Sequence, residues 1–187
     1  MNAKHFAALL VELNACSEAQ EWAGGKSLAV VWKTCKRGDW LLWLCGKMAD
    51  KPYWPTRKEV VLAACDCAKL ALKYVPKGEE RPRKCLETVR AWAAGNATIH
   101  EVRTARAAAY AAYAYAAYAA AYAAAYAVAY AADAASYAAA AADAASYAAA
   151  DAAYYARGTT REAARRKCCR LIHARIPRPT LPPEATR

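Results

Sequence analysis

The chain has 187 residues and a formal net charge of +11, from 27 Lys and Arg against 16 Asp and Glu. This length allows one domain with a hydrophobic core, or two small ones, and excludes a larger multidomain organisation. The basic excess favours anionic partners, such as nucleotides, nucleic acid, acidic proteins or membrane surfaces, but it says nothing about the fold.

The N-terminal segment and the cysteines bear on the compartment. MNAKHFAALLVELNA has too short an apolar run for a secretory signal, and Glu12 interrupts it. The eight cysteines include a C-x-C and a C-C pair but no C-x-x-C, which does not favour a metal site. We therefore expect reduced thiols that serve as small core residues in a cytosolic protein, with no metal and no cofactor.

Helix start and stop signals divide the chain. A Ser or Thr followed three positions later by Glu or Gln satisfies two backbone donors at a helix start. This pattern occurs at Ser17–Gln20, Thr56–Glu59, Thr98–Glu101 and Thr159–Glu162. With the glycines and prolines that follow apolar runs, it predicts helices at 3–15, 18–23, 27–35, 39–48, 57–75, 81–94, 98–156 and 160–176. No stretch alternates as a strand, so we predict an all-α fold, a compact bundle of about seven to nine helices.

Two stretches in the first half supply core candidates. In WKTCKRGDWLLWLCGKM, at 32–48, the tryptophans are predicted core anchors, and Asp39 after Gly38 is a predicted N-cap. Further on, apolar residues recur at helical spacing from Val60 to Ala71. Both patterns predict amphipathic helices that pack into one core.

The segment from 110 to 156 is almost entirely alanine and tyrosine. At about 100° per residue, most of its tyrosines fall within an arc of about 120°, which predicts a helix with a tyrosine stripe. A straight rod from 98 to 156 would span roughly 90 Å, so we expect a break capped by Asp133, Asp143 or Asp151. The stripe either packs between helices or lines a cavity. Alanine is close to neutral in lipid and tyrosine prefers the membrane interface, so no membrane-spanning helix is predicted.

Catalytic motifs are missing from the sequence. Its three histidines, His5, His100 and His173, do not accompany a recognisable nucleophile, and no P-loop or paired acid/base carboxylates occur. We therefore expect a binding protein without enzyme activity.

The stretches SEAQEWAGGKSL, WKTCKRGDWLLWLCGKM and VVLAACDCAKLALKYVPKGEERPRKCLETVRAW, followed by an Ala/Tyr-rich half, resemble the Imm-5-like family. Proteins of this family occur in phages, prophages and bacteria and are often named immunity proteins. The resemblance implies a single all-α domain over 1–176 and a setting of conflict between toxin, phage and host. The expected parts are a Trp/Cys-rich helical half, Ala/Tyr-rich helices, a basic C-terminal helix and a Pro-rich tail, at 1–96, 97–156, 159–176 and 177–187.

Charge, aromatic content and the resemblance together favour sequestration of a small anionic, nucleotide-like molecule such as a host immune signal. Arginines would hold its phosphates, and tyrosines would stack on its rings. Aspartates of the stripe either cap helices or meet polar groups of the ligand. The predicted ligand-binding residues are Arg103, Arg106, Tyr110, Tyr113, Asp133 and Asp151, with Arg37 and Arg57 as second choices.

Two other functions stay open. An immunity protein that blocks a protein toxin needs an exposed surface, and its partner should be acidic. The last helix suits non-specific nucleic-acid binding. Its predicted inward residues are Ala164, Cys168, Leu171, Ile172 and Ile176, and its predicted outward arginines are Arg161, Arg165, Arg166 and Arg170. An Ala/Tyr interface between subunits would also produce a homo-oligomer.

Overall fold

Helices form the regular structure of the chain. The computed structural model describes residues 1–114 and 161–179. In these ranges the α-helices are α1 (Ala3–Glu12), α2 (Ser17–Ala23), α3 (Leu28–Thr34), α4 (Gly38–Lys47), α5 (Arg57–Ala68), α6 (Arg81–Ala93), α7 (Ile99–Ala114) and α8 (Arg161–Arg175). A 3-10 helix, Lys69–Tyr74, continues α5, where the sequence predicts one α-helix to residue 75. The described ranges contain no strand, and the predicted all-α bundle is confirmed.

Two of the predicted capping boxes are present. The Thr56 hydroxyl accepts from the Glu59 N–H at 3.3 Å, and Glu59 Oε2 accepts from the Thr56 N–H at 2.7 Å. Thr98 and Glu101 repeat this arrangement at the start of α7. The box predicted at Ser17 is wrong, because Ser17 is already the first residue of α2 and the N-cap is Cys16. Thr159 and the caps predicted at Asp133, Asp143 and Asp151 lie outside the described residues, as does most of the tyrosine stripe.

The larger hydrophobic core joins α4, α5, α6, α7 and α8. The predicted stripe from Val60 to Ala71 is buried in it, as is the inward face of α8 with Cys168 and Ile172. Small side chains let the helices approach closely. A Cβ at Gly38 would lie only 2.6 Å from the Cβ of Cys168, so the N-terminal end of α4 rests directly on α8.

The eight cysteines all lie within the described residues and form no disulfide, and seven of them are buried, as predicted. A hydrogen bond with Cys168 and burial raise the pKa of Cys67, and burial raises the pKa of Cys65 to about 12. Thiols held in this way stay protonated and serve as small apolar side chains. Cys16 is the exception, since it is exposed.

One carboxylate fastens three helices at the edge of this core. Asp66 on α5 accepts from Arg90 Nη2 of α6 at 2.7 Å and from Arg175 Nε of α8 at 2.6 Å. A carboxylate with two guanidinium partners fixes the positions of all three helices.

A second, smaller core gathers α1, α2, α3 and the outer face of α4. Its buried residues include Phe6, Leu10, Leu28, Leu44 and Trp54. Helix α4 separates the two cores, because its remaining apolar side chains face the larger one. Among the described residues, no helix is long and apolar enough to cross a membrane.

Candidate functional site

A cavity of about 390 Å³ opens among the four N-terminal helices. Helix α2 presents Ala19, Trp22 and Ala23 to it, at the i, i+3, i+4 spacing of one helix face. Helix α4 presents Trp40 and Trp43, one turn apart. Phe6 and Leu10, Cys16, Val31 and Cys35 complete most of the wall. Small-molecule sites commonly have volumes of about 300–1,000 Å³ and mostly apolar walls, and this cavity fits that description.

Tryptophan rings form the most distinctive part of the wall. The rings of Trp22 and Trp40 lie 5.8 Å apart between centroids, tilted by 54°. Lys26 Nζ lies 4.5 Å from the centroid of Trp22, and the Arg37 guanidinium lies 4.3 Å from the centroid of Trp40. Two of the wall tryptophans therefore each hold a cation against the ring, although neither Lys26 nor Arg37 itself lines the cavity.

Arg37 is fixed in place by two carboxylates. Its Nε and Nη2 donate to Asp39 at 3.0 and 2.6 Å, and its Nη1 donates to Glu18 of α2 at 3.1 Å. The hydrogen bond to Asp39 raises the pKa of Arg37. Asp39 is buried, whereas the Glu18 side chain is 71% exposed. The predicted N-cap role of Asp39 is wrong, because α4 begins at Gly38 and Asp39 instead pairs with Arg37 inside the first turn.

The ionisable groups of the cavity suit binding better than catalysis. Burial raises the pKa of the Cys35 thiol to about 11, so this cysteine is a poor nucleophile at neutral pH. Both carboxylate oxygens of Asp39 already accept hydrogen bonds from Arg37. In the described ranges, no group of three His, Cys, Asp or Glu side chains is placed to hold a metal ion.

The predicted site residues are spread over several parts of the molecule. Arg37 lies against Trp40 of the cavity wall, but Arg57 lies beyond the far end of α4, about 15 Å of helix away, and pairs with Asp50 at 3.1 Å. Arg103 is exposed and Arg106 half-buried on α7, which packs against α6, and neither helix lines the cavity.

The other predicted contacts are not tested by the structure. Tyr110 and Tyr113 belong to α7, but their side chains are outside the described part of the chain. Asp133 and Asp151 lie outside the described residues altogether. A ligand site on α7 therefore stays a prediction, separate from the cavity.

The sequence carries no local signal that separates the cavity tryptophans from the core tryptophans. Each cavity tryptophan has a basic residue about one helical turn away and a cation near its ring: Lys26 after Trp22, Arg37 before Trp40 and Lys47 after Trp43. Trp32 and Trp54 also have a lysine four positions later, but they are buried and do not line the cavity. The three cavity rings are half-buried, whereas the sequence predicts Trp40 and Trp43 as core anchors.

A scan against protein-family models matches residues 55–175 to the model described as Imm-5 like putative immunity protein. The match spans about two thirds of the chain and includes the PKGEERPR stretch, but it begins after the RGDWLLWL stretch. The cavity is thus built by residues that precede the matched region. The searches of the curated proteins and of the solved structures found no match.

Proposed function

The chain belongs to the Imm-5-like family, and on this premise we propose that it is an immunity-type protein that sequesters a small anionic, nucleotide-like molecule. In a phage or bacterial conflict, such a protein would lower the concentration of an immune signal in the cytosol without altering it chemically. The observation that carries the proposal is the cavity walled by Trp22, Trp40 and Trp43, with Lys26 against the Trp22 ring and Arg37 against the Trp40 ring.

The tryptophan rings and Arg37 suit the base and the phosphate of a nucleotide, respectively. A flat base can stack on an indole face and be withdrawn from water, as in other aromatic sites for single bases. A phosphate can accept hydrogen bonds from a guanidinium, whose planar donors match its oxygens. These two partners are adjacent, because Arg37 lies against Trp40, which lines the cavity.

Glu18 occupies the position where an anion would bind Arg37. The pair is exposed on the Glu18 side, and exposed ion pairs contribute little to stability. An incoming phosphate would displace Glu18 from Nη1, while Asp39 continues to hold Nε and Nη2 in place. We therefore expect Glu18→Gln to strengthen ligand binding about two- to threefold, since it removes a competing charge.

The proposal is tested by thermal unfolding of the purified chain with a panel of cyclic nucleotides and ADP-ribose derivatives. We expect at least one to raise the melting temperature, because a ligand that binds only the folded state stabilises it. Trp40→Ala should abolish the shift. Trp92→Ala, which removes a half-buried tryptophan of α6 outside the cavity, is the matched control and should retain it. If no compound in the panel raises the melting temperature, the proposal fails.

Neutralisation of an acidic protein toxin is the second candidate function. The net charge of +11 and the outward-facing Arg166 and Arg170 of α8 favour it. If a toxin gene next to this one kills cells only when this gene is deleted, the second function gains support. If deletion has no effect on survival, it fails.

A further inference from the structure

A groove of about 600 Å³ runs between the 3-10 helix after α5 and helix α8. It lies wholly within the residues matched by the family model and shares no lining residue with the tryptophan cavity. On one side it is lined by Lys69, Leu70 and Lys73, and on the other mainly by Ala164, Lys167 and Arg170.

The groove has an aliphatic floor and cationic edges. Leu70, from the 3-10 helix, and Leu171, from α8, both line it and are half-buried, and Ala164 beside them is buried. The basic side chains Lys69, Lys167 and Arg170 are exposed along the two edges. Lys167 and Arg170 are three positions apart on α8, so they lie on one face of that helix.

One carboxylate also lines this groove, but its charge is already matched. Asp66 accepts from Arg90 at 2.7 Å and from Arg175 at 2.6 Å, so it is surrounded by more positive charge than it carries. The groove as a whole is therefore electropositive, and an acidic partner meets no unbalanced negative charge there.

We propose that this groove binds an amphipathic helix of an acidic partner protein, with aliphatic side chains on the floor and Glu or Asp at the two edges. An amphipathic helix in an apolar groove is a common mode of recognition, and edge charges select its partner. In the second function above, this groove would be the surface that binds the toxin. The proposal therefore rests on that function and not on the tryptophan cavity.

The lining favours a protein over a nucleic acid. Among the described residues that line the groove there is no aromatic ring to stack a base and no side-chain amide to read its edge. Leu70 and Leu171 would gain nothing from a phosphate backbone, but they would bury apolar area against a partner leucine.

The test uses a dye-labelled synthetic helix of about 14 residues, with leucines on one face and glutamates flanking them, in a fluorescence anisotropy titration against the full chain. We expect saturable binding. The double variant Lys69→Glu/Lys167→Glu should weaken it at least about tenfold, because both edges then repel the peptide. Lys36→Glu/Lys77→Glu changes the net charge equally at exposed sites outside the groove, and it should bind within about twofold of the unchanged chain.

Two further probes separate this surface from simple charge attraction. A peptide of the same composition with the leucines scattered around the helix should bind at least about tenfold more weakly. A single-stranded oligonucleotide of equal charge should be insensitive to Lys69→Glu/Lys167→Glu relative to the control pair. Equal binding of both peptides, or loss of oligonucleotide binding in the groove variant alone, would overturn the proposal. This assay needs no toxin. Its failure would disprove the groove as a binding surface, whereas the second function would still be decided by the gene-deletion test.

Discussion

The two cores of this protein are packed by different means. Between α5, α6 and α8 the side chains are small, with buried Ala63, Ala64, Cys67 and Cys168, and the helices lie close together. Among α1, α2 and α4 the side chains are large, and they leave a cavity of about 390 Å³ walled by half-buried tryptophans.

The tightly packed core therefore serves stability and the cavity serves binding, and the two lie in different parts of the sequence. The tightly packed core falls mostly within the residues matched by the family model, whereas the cavity is formed by residues that precede them. Close packing resists any change in volume, while large rings around a gap can accommodate a ligand at little cost. The two regions should therefore respond to substitution as differently as their packing implies.

The largest effect is expected where α4 meets α8. Gly38→Ala would place a Cβ 2.6 Å from the Cβ of Cys168 and 3.2 Å from the Cys169 nitrogen, so one helix must move. We expect a loss of about 3 kcal/mol in the free energy of unfolding, as for other overpacked cores. Urea denaturation measures it.

A double-mutant cycle locates this effect at the contact itself. Gly38→Ala combined with Cys168→Gly should lose at least about 1 kcal/mol less than the sum of the single variants. Additive losses would show that Gly38 matters for a reason other than its closeness to α8.

The next effect concerns the ion pairs of the tight core. Asp66→Ala leaves Arg90 and Arg175 without their shared carboxylate, and we expect it to cost about 2 kcal/mol. Glu162→Ala removes an exposed pair with Arg166 one turn along α8 and should cost only about 0.3–0.5 kcal/mol. Equal losses for the two variants would contradict the role of Asp66 in joining three helices.

Thiol reactivity should distinguish the two regions without any destabilising change. Cys16 is exposed at the cavity, whereas burial raises the pKa of Cys35 to about 11 and that of Cys169 to about 12. A disulfide reagent at about pH 8 should therefore modify one thiol per folded chain and the other seven only after unfolding. Cys16→Ala should remove the fast reaction; a fast phase that persists would show that the core opens.

The smallest effect is a pH dependence at the junction of α8 with α3. His173 packs against the Trp32 ring, with centroids 5.2 Å apart, and burial lowers the pKa of His173 below its ordinary 6.5. The unfolded chain then binds the proton more readily, so the stability that neutral His173 provides is complete above about pH 6.5 and is lost as the pH falls toward the folded-state pKa.

Replacement of this histidine measures the effect. Between about pH 7.5 and 5.5, His173→Gln should lose less stability than the unchanged chain, whereas His100→Gln, at an exposed position, should follow the unchanged chain. Identical pH profiles for His173→Gln and the unchanged chain would show that protonation of His173 does not affect folding.

Local patterns predicted much of the tight core. The boxes at Thr56 and Thr98 and the inward face of α8 depend on residues within one or two helical turns, and all three are confirmed. The box at Ser17 fails because α2 begins one residue earlier than predicted, with Cys16 as its N-cap, and the Gln20 amide nitrogen donates to the carbonyl of Ala15 at 2.6 Å.

The cavity depends on contacts that no local pattern contains. Whether Trp40 is a core anchor or a cavity wall is decided by the distance between α2 and α4, which are separated in sequence by α3. In the same way, Asp39 has the residue type of a cap, but Arg37 holds it inside the first turn of α4. The spacing of basic residues does not indicate the site either, because Trp32 and Trp54, which do not line the cavity, also have a lysine four positions later.

Native mass spectrometry of the chain purified from infected or toxin-exposed cells tests the central claim most directly. We predict that the unchanged protein carries an additional small-molecule mass, and that Trp40→Ala, purified in parallel, does not, while Trp92→Ala retains it. A bare protein mass in the unchanged chain, or a bound molecule that survives Trp40→Ala, would contradict a ligand site at the tryptophan cavity.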